Sequence, residues 1–457
     1  MTLPSSWLLL ASLILGCSIG FGGDPCDAAE EAWRVGFAKG RITPTEPMWL
    51  SGYGSRDRRS EGTRIDLWAK ALLLEAPGGT RGLILSLDLV GLDRETATEA
   101  RERISRETGI PVTHIALCSS HTHTGPVVGH NLETMYFFGE EDSARVRRYT
   151  AGLVDTLVRI AHQAAAEAVP STLLWGTGYE SFGVNRRNNP EPLVPAHRAG
   201  GKLRGPVDYD VPVLRIADLE GRITGVLFGY ACHATVLDDY QWSGDYHGFA
   251  QRELERRHPG AQAMFLAGCG ADVNPLPRRT PELAQHYGER LAAAVDRALE
   301  GVLTPVMPGL AIRSSEIPLP FDTPPAREVL EMRAAGSDKY AASHARRMLR
   351  ELDAAGKLPT TYPYPMAVWK FGNELTWVSL GGEVVVDYAL RIKSEHGRGT
   401  WVSGYSHDVM AYIPSRRVWE EGGYEGGGAM TYYGLPTRWD GRVEQLIVGE
   451  VDRLLRR

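Results

Sequence analysis

The 457-residue chain has few cysteines and no surplus of basic charge. Its five cysteines form no Cys-x-x-Cys pair, which argues against a zinc–thiolate site and predicts buried free thiols at Cys118, Cys232 and Cys269. A formal net charge of -6 gives no reason to expect nucleic acid as a partner. Internal repeats, coiled-coil heptads and low-complexity tracts are also missing. The composition, 43% hydrophobic and 23% charged, is that of an ordinary globular protein.

The only long apolar run lies at residues 7–21. It is shorter than the ~20 residues of a bilayer span, but it suits the hydrophobic region of a secretory signal. Residues 1–29 are therefore predicted to be a signal peptide, although no Lys or Arg precedes the run. In an alternative, residues 14–17 resemble a lipoprotein box and the signal ends before Cys17. A third interpretation is an apolar N-terminus that is not removed. We expect the protein to be exported. It would then be secreted, periplasmic or lipid-anchored, with possible association with a membrane surface.

Apolar, β-branched segments alternate with amphipathic helical segments, which predicts an α/β fold with a mixed β-sheet core flanked by helices. One catalytic domain is expected over residues 33–457, with long active-site loops at 183–205 and 422–434. The predicted strands are 70–75, 82–89, 114–118, 211–216, 224–232, 263–267, 375–380 and 401–402. The predicted helices are 95–106, 144–168, 281–300, 327–355 and 442–456.

Polar or glycine-rich elements follow four of these strands at their carboxyl ends. Ligand crevices in open α/β sheets form at that edge. Four such elements in one chain therefore predict a single shared site. They are His121 with His123, His233, the segment 268–275, and Glu383 after Gly381 and Gly382.

His121 and His123 are two residues apart, so in an extended segment their side chains point to the same side. One imidazole can then bind a metal while the other acts as acid, base or oxyanion donor. Taken alone, the pair is better explained by hydrogen-bonded surface histidines and His233 by a core histidine. Glu383 alone could be a solvated loop acid or a helix N-terminal carboxylate. Their common position after strands favours the functional interpretation.

Asp272 and Asn274 lie in the turn-prone sequence Ala-Asp-Val-Asn-Pro. They either cap a turn or present a carboxylate and an amide to the crevice. Asp245 is interpreted as a helix cap, with orientation of a neighbouring group as the alternative.

Beyond these patterns, the chain resembles the neutral (non-lysosomal) ceramidase family. The resemblance rests on Ser-His-Thr-His-Thr-Gly-Pro at 120–126 and on the motifs at 35–44, 86–90, 412–415, 424–427 and 433–434. It covers the catalytic domain only, so the family's C-terminal immunoglobulin-like domain is expected to be missing. It implies a zinc amidohydrolase that cleaves the N-acyl bond of ceramide, or of a related lipid, to give sphingosine and a fatty acid.

The resemblance also implies roles for individual residues. One Zn²⁺ is expected on His121, His233, Glu383 and Tyr412, and it would activate the attacking water. His123 is expected beside the reacting carbonyl. The segment 271–275 matches the family's Gly-Asp-Val-Ser-Pro motif, which makes Asp272 and Asn274 catalytic candidates. Tyr424 and Gly427 are the substrate-binding candidates.

One residue departs from the family pattern. Asn274 stands where the family has a serine proposed as a nucleophile, so acyl-serine chemistry is excluded at this position, whereas attack by metal-activated water is not. Three hypotheses follow: hydrolysis of ceramide or a related N-acyl lipid, hydrolysis of another amide or ester, and a non-catalytic metal-binding protein. His123 argues against the third, since a pure metal holder does not need it.

Overall fold

The computed structural model describes residues 31–456, so the predicted signal peptide lies outside the described residues and stays a prediction. The strands are β1 (Trp33–Arg41), β2 (Gly62–Thr63), β3 (Trp68–Glu75), β4 (Arg81–Leu87), β5 (Ile115–Ser119), β6 (Val169–Tyr179), β7 (Gly183–Asn185), β8 (Asp210–Ala217), β9 (Ile223–Tyr230), β10 (Gln241–Trp242), β11 (Gln262–Ala267), β12 (Val273–Pro275), β13 (Thr304–Val306), β14 (Leu310–Pro320), β15 (Thr361–Phe371), β16 (Leu375–Leu380), β17 (Glu383–Val384), β18 (Thr400–Ser403) and β19 (Tyr412–Ile413). The helices are α1 (Arg94–Thr108), α2 (Glu140–Ala166), α3 (Val194–Ala199), α4 (Asp245–Arg257), α5 (Pro281–Glu300), α6 (Arg327–Ala334), α7 (Lys339–Ala355), α8 (Val386–His396), α9 (Arg416–Glu421), α10 (Met430–Tyr433) and α11 (Val443–Arg456).

The larger sheet has nine strands in the order β11-β9-β8-β6-β1-β3-β4-β5, with β13 also paired to β6. Its two parallel pairs, β9–β11 and β4–β5, lie at opposite ends of this order. The ends approach each other, because Ser86 Oγ in β4 donates a hydrogen bond of 2.6 Å to the Phe265 carbonyl in β11. The sheet therefore curls, and this brings the carboxyl ends of β5, β9 and β11 to one place.

The smaller sheet has the order β14-β15-β16-β18 and packs against the larger one. Four large indoles fill the space between the sheets, with 0–3% of each exposed: Trp33, Trp369, Trp377 and Trp401. Helices α1 and α2 cover the strands β1, β3, β4 and β5, and helices α4 and α5 cover β11, β6 and β8. This arrangement confirms the predicted mixed sheet flanked by helices.

Several local predictions needed correction. The segment 327–355 forms two helices: α6 ends at Ala334, before Gly336, and Asp338 caps the N-terminus of α7 through the Tyr340 and Ala341 amides. The loop at 183–205 contains β7 and α3, and the loop at 422–434 contains one turn of π-helix (Tyr424–Gly428) and α10. The strand predicted at 224–232 ends at Tyr230, so a short connection separates it from His233.

Residues 31–456 also test the predicted free thiols and whether any helix could cross a membrane. Cys118, Cys232 and Cys269 are buried and free, as predicted. Within residues 31–456, no helix combines the length and the apolar character that crossing a bilayer requires.

Candidate metal centre

His121 lies two residues beyond the end of β5, in a left-handed backbone conformation (φ 63°). Its amide donates a hydrogen bond of 2.9 Å to the Leu89 carbonyl. Its ring Nδ1 lies 2.6 Å from the Val90 carbonyl. Because a carbonyl only accepts, Nδ1 carries a proton, and Nε2 faces the interior of the site.

His233 is held by the same type of contact on another loop. Its amide donates to the Val273 carbonyl at 2.9 Å, and its Nδ1 donates to the Gly270 carbonyl at 2.9 Å. Burial, with a further contribution from Arg186, lowers the pKa of His233 to about 4. Near neutral pH the ring is therefore neutral, and its Nε2 presents a lone pair to the interior of the site.

Glu383 and Tyr412 are placed side by side by a two-stranded parallel ladder, in which β17 pairs with β19 and Glu383 is opposite Tyr412. Gly382 enters this ladder with φ 74°, and a Cβ there would lie 2.7 Å from the Ala411 carbonyl oxygen, so the position requires glycine. Glu383 Oε2 lies 3.1 Å from Nε2 of His121 and 3.1 Å from Nε2 of His233. The other carboxylate oxygen, Oε1, accepts a hydrogen bond from the Tyr433 hydroxyl.

The Nε2 atoms of His121 and His233 and the Oε2 atom of Glu383 thus converge in one buried space. Glu383 Oε2 has no hydrogen-bond partner among residues 31–456, and a cation between the carboxylate and the two imidazoles would supply the missing contact. The Tyr412 hydroxyl lies 3.3 Å from His233 Nε2 and completes the group. The ring nitrogens of His121, His123 and His233 also lie within 4.8 Å of one another. The chemistry of this donor set fits a metal ion.

His123 lies at the same place but is held differently. Its Nε2 is 3.1 Å from Nε2 of His121, whereas its Nδ1 has no hydrogen-bond partner among residues 31–456. The Tyr53 ring packs against it at 4.7 Å. Gly52, at φ 95°, lies so close that a Cβ would be 2.5 Å from His123 Nδ1. Burial, with the repulsion of His121 and His233, holds the pKa of His123 well below its ordinary range.

Asn274 lies in β12, opposite Val184 of β7. Its amide oxygen accepts a hydrogen bond of 3.3 Å from Arg186, whose guanidinium also donates to Glu425 and to the Tyr412 hydroxyl at 3.2 Å. Arg186 therefore connects Asn274 to the phenol beside the metal centre. Its importance was missed, because nothing in its sequence context separates it from the other basic residues.

Asp272 is fully buried, and burial raises its pKa to about 6. Its two oxygens accept hydrogen bonds of 2.9 Å from the amide of Val386, the first residue of α8, and from the Asn185 side chain. These contacts tie the 271–275 segment to the helix that follows Glu383. Asp245 does not occupy the N-cap position of α4, which belongs to Gly244; its carboxylate instead accepts from the amides of Leu237 and Tyr246.

The two substrate-binding candidates lie on different sides of the segment 422–428. Tyr424 is 44% exposed and its ring is 5.2 Å from that of Tyr412, at the rim of the metal centre. Gly427 (φ 151°) packs against Arg438, where a Cβ would be 2.7 Å from the arginine Cβ. The structure therefore brings Tyr424 to the site, whereas Gly427 lies against Arg438 on the segment that follows α10.

The fold and the side chains together describe an α/β protein with a buried cluster of histidine, carboxylate and phenol groups that could hold a metal ion. A family model described as "Neutral/alkaline non-lysosomal ceramidase, N-terminal" matches residues 33–343. The chain belongs to this family, as its motifs suggested.

Individual relatives agree with this assignment. A neutral ceramidase of Pseudomonas aeruginosa is 24% identical over 287 residues, which span 59% of this chain and 40% of the relative. One of Oryza sativa subsp. japonica is 25% identical over 274 residues, 59% of this chain and 33% of the relative. The chain thus corresponds to less than half the length of these relatives. The crystal structure of the Pseudomonas enzyme superposes with a TM-score of 0.70 at 19% identity, covering 91% of this chain and 73% of that one, which shows a shared fold.

Proposed function

We propose that the protein is a zinc-dependent amidohydrolase that cleaves an N-acyl amide bond in a ceramide-like lipid. The observation that carries the proposal is the convergence of His121, His233 and Glu383 on one point, with His123 beside it. Membership of the ceramidase family supports the type of bond. A solved relative described as a ceramidase complexed with C2 supports the fold only, at 19% identity.

The proposed ligands are His121, His233, Glu383 and Tyr412. Imidazole nitrogen and carboxylate oxygen are the ligands that catalytic zinc sites combine. Metal-binding histidines usually donate their second N–H to a carbonyl oxygen, as His121 and His233 do. His123 has no such anchor, which favours a role in catalysis over one in metal binding. The chemistry that zinc supplies when bound is Lewis-acid polarisation of the carbonyl and a water of lowered pKa.

The remaining steps belong to protein groups. Hydrolysis adds the oxygen of water to the acyl carbon, breaks the carbon–nitrogen bond and delivers a proton to the amine. His123 is neutral near pH 7, so its Nε2 takes a proton from the attacking water and returns it to the leaving nitrogen. Asn274, whose oxygen is held by Arg186, keeps its N–H groups as donors for the substrate carbonyl.

Other predicted residues support this geometry. Tyr424 offers an exposed ring at the rim of the site for the apolar part of the substrate. Asp272 holds the Asn274 segment against α8, so we assign it a positioning role. Gly427 shapes the segment that carries Tyr424. For a lipid substrate, we expect an exported protein that works at a membrane surface.

The second candidate is hydrolysis of a different amide or ester. The observation that favours it is Asn274, because the serine of the family is replaced by a side chain that cannot form an acyl intermediate. In that case the metal site and His123 keep their roles and only the acyl donor changes.

One experiment separates these candidates. The purified protein is analysed for bound metal and offered a fluorescent N-acyl sphingosine beside simple amides and esters. We expect about one zinc per chain and turnover of the sphingosine substrate, both lost in His121→Ala and both kept in the matched control His130→Ala, an exposed surface histidine. Turnover of only the simple substrates favours the second candidate. Zinc without any turnover contradicts both, and absence of stoichiometric metal contradicts the site itself.

A further inference from the structure

An open cavity of about 610 Å³ lies on the outer side of the glycine-rich segment 422–428, between it, the segment 435–438 and the helices α6 and α7. The ligand candidates of the metal centre are not among the residues that line it within 31–456. The same segment turns Tyr424 and Glu425 towards Tyr412 and Arg186. The cavity is thus separate from the metal centre and is of the size that binds small molecules.

The polar part of the lining is basic. Arg333, Arg438 and His344 line the cavity, and no aspartate or glutamate does so in the described part of the chain. Arg438 lies over the Trp419 ring at 4.3 Å and donates to Asp322 at 3.1 Å. The guanidinium of Arg333 makes no hydrogen bond or ion pair with any described residue, so its charge is available to a ligand.

His344 also indicates that the electrostatic potential in the cavity is positive. Its side chain is 5% exposed, and Nε2 donates a hydrogen bond of 2.7 Å to the Leu435 carbonyl. Burial lowers its pKa, and the positive charges of Arg333 and Arg347 lower it further. Because its Nε2 proton is donated to the backbone, His344 leaves two cationic groups in the cavity: Arg333, which is unpaired among the described residues, and Arg438, whose charge is shared with Asp322.

The rest of the lining is apolar or hydroxylic. Val329, Met430 and Leu435 form an apolar surface beside the arginines, and Thr323 and Thr437 add hydroxyl groups. Arginine pairs with carboxylates through two parallel hydrogen bonds. The lining therefore matches a small molecule with one carboxylate and a short apolar portion.

We propose that this cavity binds a small organic carboxylate, with the anionic group on Arg333 and Arg438 and the apolar portion on Val329 and Leu435. The proposal does not depend on the metal centre or on the reaction assigned to it. It requires only the two arginines and the apolar surface between α6 and the segment 435–438.

Titration calorimetry with sodium octanoate on the full-length protein tests the proposal, with octanamide as the uncharged probe of the same length. We expect saturable one-to-one binding of octanoate and none of octanamide. Arg333→Ala should weaken octanoate binding by about tenfold or more, since it removes a charged hydrogen-bond donor. The matched control Arg350→Ala removes an exposed arginine of α7 that does not line the cavity, and it should leave the affinity within about twofold.

Three outcomes would overturn the proposal. Octanamide binding as well as octanoate contradicts the role of the charge, and equal effects of the two arginine variants contradict the location. Loss of octanoate binding in His121→Ala means that the probe binds at the metal centre. Retained binding in that variant supports the cavity, whether or not the protein proves to be a hydrolase. Inorganic phosphate as a further probe should bind more weakly than octanoate, because it cannot use the apolar surface; equal binding contradicts that part.

Discussion

The candidate metal centre has two halves, which are held in different ways. His121 and His233 form the histidine half, and Glu383 and Tyr412 form the carboxylate half. His121 and His233 each use Nδ1 to contact a main-chain carbonyl, and their own amides are tied to neighbouring strand ends. Glu383 and Tyr412 share a short parallel ladder, and their polar groups contact side chains: Tyr433 for Glu383 and Arg186 for Tyr412.

This difference determines which substitutions are expected to disturb the positions of the ligand candidates. A main-chain carbonyl stays in place when its side chain is changed, so the histidine half resists substitution outside the ligands themselves. The carboxylate half depends on hydroxyl and guanidinium groups that a single substitution removes. Contacts that orient ligands in this way are worth about 10–100-fold in metal affinity.

The largest effect is expected from the ligand whose carboxylate faces both histidines. Glu383→Gln removes the negative charge that faces both imidazoles, so we expect zinc affinity to fall by more than about a hundredfold, beyond the range for residues that only orient a ligand. Metal content after dialysis against a chelator measures this. The matched variant Glu328→Gln, on the exposed face of α6, should keep its zinc. If Glu383→Gln retains stoichiometric zinc, Glu383 is not a ligand.

A second substitution tests whether His123 acts apart from metal binding. In Gly52→Ala the new methyl group would lie 2.5 Å from His123 Nδ1, at a φ of 95° that disfavours alanine, so the ring must move. We expect kcat to fall by about a hundredfold, since misplacing a catalytic group by an ångström has that order of effect. Bound zinc should be unchanged. The control Gly62→Ala places its methyl in open space. Loss of zinc in Gly52→Ala would instead make His123 a ligand.

The same contrast separates what the sequence predicts from what it does not. His121, His233 and Glu383 follow predicted strands, so their convergence could be expected from strand order alone. Tyr412 was reached only through the family resemblance. The partners that orient the second half lie far away in sequence: Tyr433 is 50 residues from Glu383, and Arg186 is 226 residues from Tyr412. Local patterns carry no information on such pairings.

The fold, too, is predicted by the sequence only in part. Strand β15 was missed because it contains Pro363 and Pro365, and proline normally excludes an inner strand. The register explains why they are tolerated, since pairing with β16 begins only at Met366 and the prolines lie where β15 pairs with β14 alone. The break between α6 and α7 was marked by Gly336 and Asp338, a turn and cap signal inside a long helical pattern.

Tyr433→Phe addresses the carboxylate half without touching a ligand. It removes the hydroxyl that donates to Glu383 Oε1 and leaves the ring in place, so the carboxylate loses the contact that fixes its rotation. We expect zinc affinity to fall by about 10–100-fold. Competition with a chromogenic chelator measures the affinity. Tyr432→Phe, the neighbouring residue whose ring faces Tyr340, should have no effect. Equal affinity in both variants would show that the carboxylate half does not depend on its side-chain contacts.

The smallest effect concerns the pH dependence of stability through Asp272, which joins the Asn274 segment to the helix after Glu383. Its pKa is raised by burial from 3.8 to about 6. Below the lower value the carboxyl is protonated in the folded and unfolded chain alike. Between the two values only the folded chain keeps the proton, so stability falls as pH rises, by at most about 1.4 kcal/mol per pH unit. Asp88, Asp245 and Asp408 also have pKa values raised by burial. Asp272→Asn should therefore make the fall of stability between pH 4 and 6 in urea unfolding less steep, whereas the exposed Asp155→Asn should leave it unchanged. Identical slopes in the wild type and Asp272→Asn would mean that the carboxyl is ionised in the folded protein. The contact between the Asn274 segment and α8 would then depend on a charged group rather than on a buried neutral acid.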